Sequence, residues 1–383
     1  MTEIDMPAAK IWEPGQHKET EEEKQARLRR NEILLSEPYE VKVKRARMRI
    51  RDWKYVCQDY GKTPAVSVGG LDSITLLALV RDTLGNHIDG VSISTLEDKS
   101  IQAVHQEMGV ISIKPAKSKV QVLEEYGFPV ISKMNASKIA RLQTPDDDSP
   151  IVKAFMTGDM GAWGKFGHNE KFKLPDRWVE LFGGLYGAFR PDLECKCAPF
   201  KVSDQCCYWL KELPAMEYQR EHNIWPYLGL MQSEGGRRQY SLRQHGCNYV
   251  GKDTARSCPL NYFNRQDILQ LAIDLGVHVP EIYGSIERRE DGSLYTTKAQ
   301  RTGCQMCGFG IHMEPRPHRF DLLRERSRKE WEFWMLRCCT DPKTGEQYGW
   351  GRVLDWIGVP WRDLPSGDFE GQCSLWEVTD NDG

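Results

Sequence analysis

The sequence predicts an α/β fold in which a parallel sheet is flanked by helices. Short apolar runs, at residues 63–68, 88–93, 110–113 and 127–133, alternate with stretches of helical periodicity. Strands that alternate with helices are typical of a parallel, doubly wound sheet. Polar residues follow the first two runs, and ligands bind such sheets at the carboxyl ends of their strands. We therefore expect a ligand site at that edge.

The composition is that of a globular protein without a membrane segment. The 383 residues, 40 % of them apolar, suffice for more than one domain of average size. No run of about eighteen apolar residues occurs, and residues 1–30 are polar and charged, so we expect neither a transmembrane helix nor a secretory signal. The net charge of −3 gives no general attraction to nucleic acid. A cytoplasmic location is the resulting expectation.

Three regions are expected along the chain. Residues 1–54 should form a helical N-terminal extension that Pro38 interrupts. Residues 55–318 should form the ligand-binding domain, with 144–190 as a helical insertion or cover. Residues 319–383 are rich in Trp and Arg and should form a helical cap.

The segment after the first strand has the composition of a phosphate-binding turn. It runs Ser67-Val68-Gly69-Gly70-Leu71-Asp72-Ser73 and leads into a helical stretch. Paired glycines let a ligand approach the backbone, and successive amides at a helix N-terminus form a nest for anions. Ser73 can donate to a phosphate oxygen, and Asp72 can hold a magnesium ion or cap the helix. A tight structural turn is the alternative interpretation of this segment alone.

The loop resembles the pyrophosphate-binding loop of adenine nucleotide α-hydrolase-like proteins, whose usual form is Ser-Gly-Gly-x-Asp-Ser; here Val68 stands in place of the first Ser. Further motifs, in order and spacing, resemble the phosphoadenosine phosphosulfate (PAPS) reductase-like family of that superfamily. The resemblance implies a Rossmann-like sheet and covers most of residues 55–320. Its motifs lie at residues 94–97, 126–133, 203–211, 233–238, 258–263 and 301–307.

The resemblance implies an adenine nucleotide, either ATP or adenylylsulfate (APS) or PAPS, at this loop. Asp72 and Ser73 would act in catalysis with Mg²⁺, together with the cations Lys133 and Arg237, which could neutralise phosphate or sulfate. Ordinary surface charge is the alternative for the cations. The implied nucleotide-binding residues are Ser67, Gly69, Gly70, Asp72, Ser73, Thr95 and Glu97.

Two cysteine pairs, Cys206-Cys207 and Cys304-x-x-Cys307, belong to the same motifs. A CxxC turn can present two thiolates to one metal, and two pairs make a four-thiolate site. Adenylylsulfate reductases that resemble this chain hold a [4Fe–4S] cluster with this combination, so the resemblance implies Cys206, Cys207, Cys304 and Cys307 as cluster ligands. Structural Zn²⁺ and a plain set of buried or redox-active thiols are the alternatives. Four further cysteines could replace a member: Cys195, Cys197, Cys247 and Cys258.

Cys373 lies in a Gly-flanked C-terminal segment. Sulfonucleotide reductases attack sulfur with a C-terminal cysteine, usually within Glu-Cys-Gly-Leu-His. Gln372, Ser374 and Trp376 depart from that pattern, and no neighbouring His or Lys favours a thiolate. We therefore expect Cys373 to be incidental.

Three functions fit these motifs. The first is cleavage of ATP to an adenylate and pyrophosphate, which would drive sulfur transfer to tRNA, DNA or a small molecule, with a sulfur donor protein as a further partner. The second is reduction of APS or PAPS to sulfite. The retained Gly-Gly-x-Asp-Ser form favours the first, because reductases release no pyrophosphate and tend to lose this form. The third is a non-catalytic nucleotide-binding subunit of a defence or mobile-element system.

Overall fold

A computed structural model describes residues 10–11, 19–145, 150–160, 167–252, 254–304 and 306–363 and confirms the α/β class. Its α-helices are α1 (Glu21–Leu35), α2 (Tyr39–Asp59), α3 (Leu71–Leu84), α4 (Lys99–Glu107), α5 (Lys119–Tyr126), α6 (Lys133–Leu142), α7 (Pro150–Thr157), α8 (Asp176–Phe182), α9 (Gln205–Cys207), α10 (Leu213–Glu221), α11 (Gly236–His245), α12 (Arg265–Asp274), α13 (Arg319–Arg326), α14 (Arg328–Glu332) and α15 (Trp350–Ile357). Its strands are β1 (Lys10–Ile11), β2 (Thr63–Ser67), β3 (Gly90–Ser92), β4 (Ile111–Ser112), β5 (Val130–Ile131), β6 (Ile224–Leu228), β7 (Asn248–Val250), β8 (Ala255–Ser257), β9 (Ile286–Arg288), β10 (Leu294–Thr296), β11 (Gly308–Phe309), β12 (Cys339–Thr340) and β13 (Gln347–Tyr348).

The main sheet of the described residues has the strand order β1-β7-β8-β6-β2-β3-β4. Its neighbouring strands are parallel, except that β7 and β8 are antiparallel. From β2 the chain moves outward to β3 and β4, and it later returns to pair β6 with the other side of β2. Such a reversal is the switch point at which open α/β sheets bind ligands. The glycine-containing loop follows β2 at this point.

The described residues divide into two compact units. The first contains residues up to 114 and 214–303, and it holds the main sheet and the β9–β10 hairpin. The second contains residues 115–213 and those from 304 onward, and it holds two small sheets, β5 with β11 and β12 with β13. The expected division at residues 54 and 318 stays a prediction.

The apolar core of the first unit explains the N-terminal helices. The helix expected around Pro38 is indeed interrupted there, because α1 ends at Leu35 and α2 begins at Tyr39. One face of α2 carries Ala46, Ile50, Trp53 and Cys57, all buried. This spacing is that of a single helical stripe. The stripe belongs to the same core as the buried residues of α3.

The second unit has a core of its own, in which aromatic rings pack among aliphatic side chains. Phe128 packs edge-on against Trp350 with ring centroids 5.0 Å apart. The Trp-rich C-terminal region contains α13–α15 together with β12 and β13, and Trp331, Trp350 and Trp361 are buried in this core. The core also includes side chains of α7 and α8, which lie within the expected insertion at 144–190. The apolar run at 127–133 forms β5, which pairs with β11.

No helix among the described residues combines the length and the apolar character that a membrane crossing requires.

Candidate nucleotide site and four-cysteine site

The predicted strand, loop and helix are present at residues 63–84. Strand β2 ends at Ser67, and α3 begins at Leu71 after Gly70, whose backbone is extended. Val68 is only 6 % exposed, and its amide donates to the Val91 carbonyl at 2.8 Å. Its side chain belongs to the core of the first unit. Val68 therefore cannot supply the contact that a serine makes at this place in the family motif.

The Ser73 side chain makes two hydrogen bonds within the loop. Its hydroxyl accepts the Gly69 N–H at 2.7 Å and donates to the Gly70 carbonyl at 2.9 Å. A serine hydroxyl has one hydrogen to donate, so Ser73 must leave the Gly70 carbonyl before it can donate to a phosphate oxygen. In the absence of a ligand, Ser73 therefore stabilises the turn through its hydrogen bonds with Gly69 and Gly70.

Tyr283 contacts the loop at the second glycine. Its hydroxyl accepts the Leu71 N–H at 3.1 Å and lies 2.6 Å from the Thr302 hydroxyl. A Cβ on Gly70 would stand 2.4 Å from the Tyr283 oxygen. Burial raises the pKa of Tyr283, so the phenol stays neutral. Gly70 is therefore required by a protein contact, whatever ligand the loop binds.

The two glycines should consequently differ in their tolerance of alanine. At Gly69 a Cβ would meet the Glu97 Oε1 at 3.4 Å, an ordinary contact. We expect Gly70→Ala to lower the free energy of unfolding by about 1–3 kcal/mol through overpacking and Gly69→Ala to have a much smaller effect. Denaturant unfolding of the two variants measures the difference. Equal losses would contradict the assigned contact with Tyr283.

His105, which no sequence motif singled out, holds the other side of Gly69. Its Nε2 lies 2.8 Å from the Gly69 carbonyl and its Nδ1 3.1 Å from the Ser94 hydroxyl. A carbonyl only accepts, so Nε2 carries the proton and Nδ1 accepts from Ser94. Burial lowers the pKa of His105. This neutral ring links the segment after β3 to the loop after β2.

The segment after β3 lies at the loop, as the sequence predicted, but its residues differ in exposure. Glu97 is 5 % exposed, and its carboxylate approaches Gly69 as described above. Thr95 is exposed on the short turn Ser94–Leu96. The structure thus brings Glu97 to the loop and leaves Thr95 at the surface.

The buried, neutral His105 should make stability depend on pH. Its folded pKa is lower than its unfolded value of about 6.5, so its contribution is present above that pH and is lost as the pH falls towards the folded value. We expect His105→Gln, whose amide can replace the Nε2 donor, to lose less free energy of unfolding between pH 7.5 and 5.5 than the wild type. Denaturant unfolding at each pH measures this. A slope in His105→Gln equal to that of the wild type would refute the assignment.

Asp72 is ion-paired in this structure. Its Oδ1 accepts from Nη1 of Arg265, the first residue of α12, at 2.6 Å. The two side chains are 23 % and 21 % exposed. Nε and Nη2 of Arg265 are buried and have no hydrogen-bond partner among the described residues. The carboxylate expected to hold Mg²⁺ is therefore engaged by an arginine that the sequence motifs did not indicate.

The predicted phosphate-binding cations have different surroundings. Arg237 lies in α11, and its side chain is outside the described part of the structure. Near it in sequence, Glu234 forms ion pairs with Arg238 and, at 3.8 Å, with Arg301. Lys133 begins α6 in the second unit. Burial opposes its charge, but Cys207, through its charge and a hydrogen bond, together with the charges of Glu212 and Cys206, raises the pKa of Lys133.

The four predicted ligand cysteines come together in the second unit. The CxxC segment closes as a turn in which the Cys307 N–H donates to the Cys304 carbonyl at 3.0 Å. Cys206 and Cys207 form the start of the helical stretch that continues into α10. A hydrogen bond with Cys207, burial and the charges of the other three thiols raise the pKa of Cys206. That hydrogen bond and the Lys133 cation lower the pKa of Cys207.

The other cysteines considered as ligands have different neighbours. Cys195 lies among Arg190, Asp192 and Glu180. Cys197 is exposed and packs against Gly184. In the first unit, Cys247 and Cys258 are buried, and the Cys258 N–H donates to the Cys247 carbonyl at 2.7 Å. Cys373 lies outside the described residues.

The four-cysteine site fits a metal in the kind of its donors but not in their arrangement. Lys119 places a buried ammonium, without a hydrogen-bond partner, near the charges of Cys206, Cys304 and Cys307. Burial lowers the pKa of Lys119, and the thiols oppose this effect. Across the described residues, however, no three His, Cys, Asp or Glu side chains are arranged so that they could hold a metal ion. The four thiols influence one another's charge, but they form no coordination sphere among the described residues.

No family model and no curated protein sequence matches this chain. Among solved structures, the chain is similar to a PAPS reductase from Candida auris crystallised as a phosphate complex, with 11 % identity and a TM-score of 0.33. The similarity covers 71 % of this chain and 97 % of that one. Values this low carry no argument about function.

Proposed function

We propose that this chain is a PAPS reductase-like enzyme that binds ATP at residues 67–73 and cleaves it to an adenylate and pyrophosphate in order to drive sulfur transfer. One observation carries the proposal: the glycine loop joins β2 to α3 at the switch point of a mostly parallel sheet. That placement directs the positive end of a 14-residue helix at whatever the loop holds. A phosphate-containing ligand such as pyrophosphate suits such an end.

The chemistry would begin with attack on the α-phosphorus of ATP by an oxygen of the acceptor. The bond to the bridging oxygen breaks, and pyrophosphate leaves with the electron pair. Amides at the start of α3 would bind the departing oxygens, and Asp72 would hold Mg²⁺, which supplies charge neutralisation. Sulfur at the oxidation level of sulfide, delivered by a donor protein, would then displace AMP from the acceptor. Neutralisation of phosphate or sulfate by Lys133 and Arg237 remains a prediction.

Nucleotide binding and pyrophosphate release test this proposal. Purified protein should bind Mg-ATP more tightly than APS or PAPS in calorimetry, and it should release pyrophosphate when tRNA, DNA or small-molecule acceptors are supplied. Asp72→Ala should lower turnover by at least about a hundredfold, which corresponds to the loss of a few kcal/mol of transition-state stabilisation. Asp59→Ala, at the exposed end of α2, is the control and should retain turnover.

The other outcomes of this experiment separate the alternatives. Tight PAPS binding with weak ATP binding, and formation of sulfite, would replace the proposal with a sulfonucleotide reductase. Binding of ATP without pyrophosphate release from any acceptor would favour a non-catalytic nucleotide-binding subunit. Near-normal turnover of Asp72→Ala would contradict the assignment of the loop.

We also propose that Cys206, Cys207, Cys304 and Cys307 bind a [4Fe–4S] cluster, with Zn²⁺ as the alternative. The support is the four-thiol donor set, in which Cys206 lies within the influence of the other three thiols. Such a cluster supplies a site that could carry sulfur, and metal binding requires these thiols to be deprotonated.

Metal analysis of anaerobically purified protein tests the cysteine assignment. We expect bound iron and sulfide and broad visible absorption, all lost in Cys206→Ser and Cys304→Ser. The exposed Cys197→Ser is the matched control and should keep the spectrum. Bound zinc without visible absorption would select the alternative metal. Protein without metal, or loss of the metal in Cys197→Ser, would refute the four-ligand assignment.

A further inference from the structure

Only part of the hydrogen-bonding capacity of the Arg265 guanidinium is satisfied among the described residues. A guanidinium carries five N–H donors in a planar fork. Here Nη1 pairs with Asp72, whereas Nε and Nη2 are buried with no acceptor among the described residues. Nε and Nη2 form the edge that matches two oxygens of a carboxylate or phosphate. A buried, charged donor without an acceptor is costly, so this edge favours an anionic partner.

Arg265 also lies beside the glycine loop. The charges of Arg265 and Asp72 both act on the Tyr283 hydroxyl, in opposite directions. That hydroxyl accepts from the Leu71 amide, in the first turn of α3. All of these groups belong to the first unit. An oxyanion held at the start of α3 would therefore be close to the unpaired edge of Arg265.

We propose that Arg265 binds the pyrophosphate portion of the nucleotide. In the ligand-free protein, the same guanidinium pairs with Asp72 instead. The inference rests on the proposed function of the loop. On binding, phosphate oxygens replace Asp72 as the partner of the guanidinium and supply the acceptors that Nε and Nη2 lack. Asp72 is released at the same time and becomes available to Mg²⁺. One exchange of partners thus couples the binding of the anion to that of the cation.

The alternative is that Arg265 only holds α3 and α12 together through its ion pair. Removing either partner breaks that ion pair, but only one of the two removals takes away the anion-binding group. The variants Arg265→Met and Asp72→Asn therefore give different results under the two accounts. Inorganic pyrophosphate without Mg²⁺ is the probe, because its binding does not require Asp72 to hold a metal.

Calorimetry with the full chain measures the affinities. Arg265→Met should weaken pyrophosphate binding by about ten- to hundredfold, the range expected for charge-assisted hydrogen bonds. Asp72→Asn should bind Mg-free pyrophosphate at least as tightly as the wild type, since it removes the competing carboxylate. Arg265→Lys should recover only part of the loss because it lacks the fork. Arg288→Met, exposed on β9, removes the same charge and should bind as the wild type does.

Each remaining outcome is decisive. Equal weakening in Arg265→Met and Asp72→Asn overturns the inference in favour of the ion pair alone. Wild-type affinity in Arg265→Met, with a folded circular dichroism spectrum, overturns it as well. Failure of the wild type to bind either pyrophosphate or ATP overturns the proposed function itself, and the inference with it.

Discussion

The pairing of β2 with β3 on one side and β6 on the other is the constraint on which the candidate nucleotide site depends. All five residues of β2 are in parallel register with β6, from Thr63 opposite Ile224 to Ser67 opposite Leu228. Strand β3 ends at the same edge, where Ser67 pairs with Val91. The segments that follow the three strands must therefore meet. Gly229, which follows β6, is so close to α3 that its Cβ would stand 3.2 Å from the Ser73 Cα.

Several polar groups of the loop are already satisfied by the protein. The Gly69 amide and carbonyl bind Ser73 and His105, and the Leu71 amide binds Tyr283. Each such hydrogen bond is worth about 1 kcal/mol net, so the loop is held in shape before any ligand arrives. A phosphate that takes one of these amides must displace its side-chain partner. The affinity for a phosphate therefore depends on the hydrogen bonds that it forms with the loop minus those that the protein gives up. The partner exchange proposed for Arg265 contributes to affinity in the same way.

Local patterns could predict the elements around this site. An apolar run, two glycines and a helical stretch lie next to one another in sequence, and each signal reflects the conformation of its own segment. The interruption of the N-terminal helices at Pro38 and the helices of the C-terminal region are likewise local features. The groups that complete the site are instead far from the loop in sequence. Tyr283 lies 212 residues from Leu71, and Arg265 lies 193 residues from Asp72. No local periodicity marks either residue, because their positions follow from the pairing of β2 with β6 and the packing of α12.

The role of His105 at the loop is not visible in the sequence pattern of its helix. It lies in α4 between residues of the apolar face, where a buried histidine is expected to be a packing residue. Its two ring nitrogens instead connect Ser94 with Gly69. The sequence motifs include both Ser94 and Gly69 but give no sign of the link through His105, because this contact requires the sheet that sets the two loops side by side.

In the four-cysteine site, the charges of the lysines and of the cysteines influence one another. Lys119 and Lys133 are cations among thiols, and burial works against the charge of each. At Lys133 the Cys207 thiolate helps to reverse that penalty, and the Lys133 ammonium in turn helps to lower the pKa of Cys207, whereas the pKa of Lys119 stays lowered. The lysines and the cysteines therefore determine one another's protonation. Since a metal requires thiolates rather than thiols, Lys133 favours the form of Cys207 that a metal needs, whereas the raised pKa values of Cys206 and Cys307 oppose it.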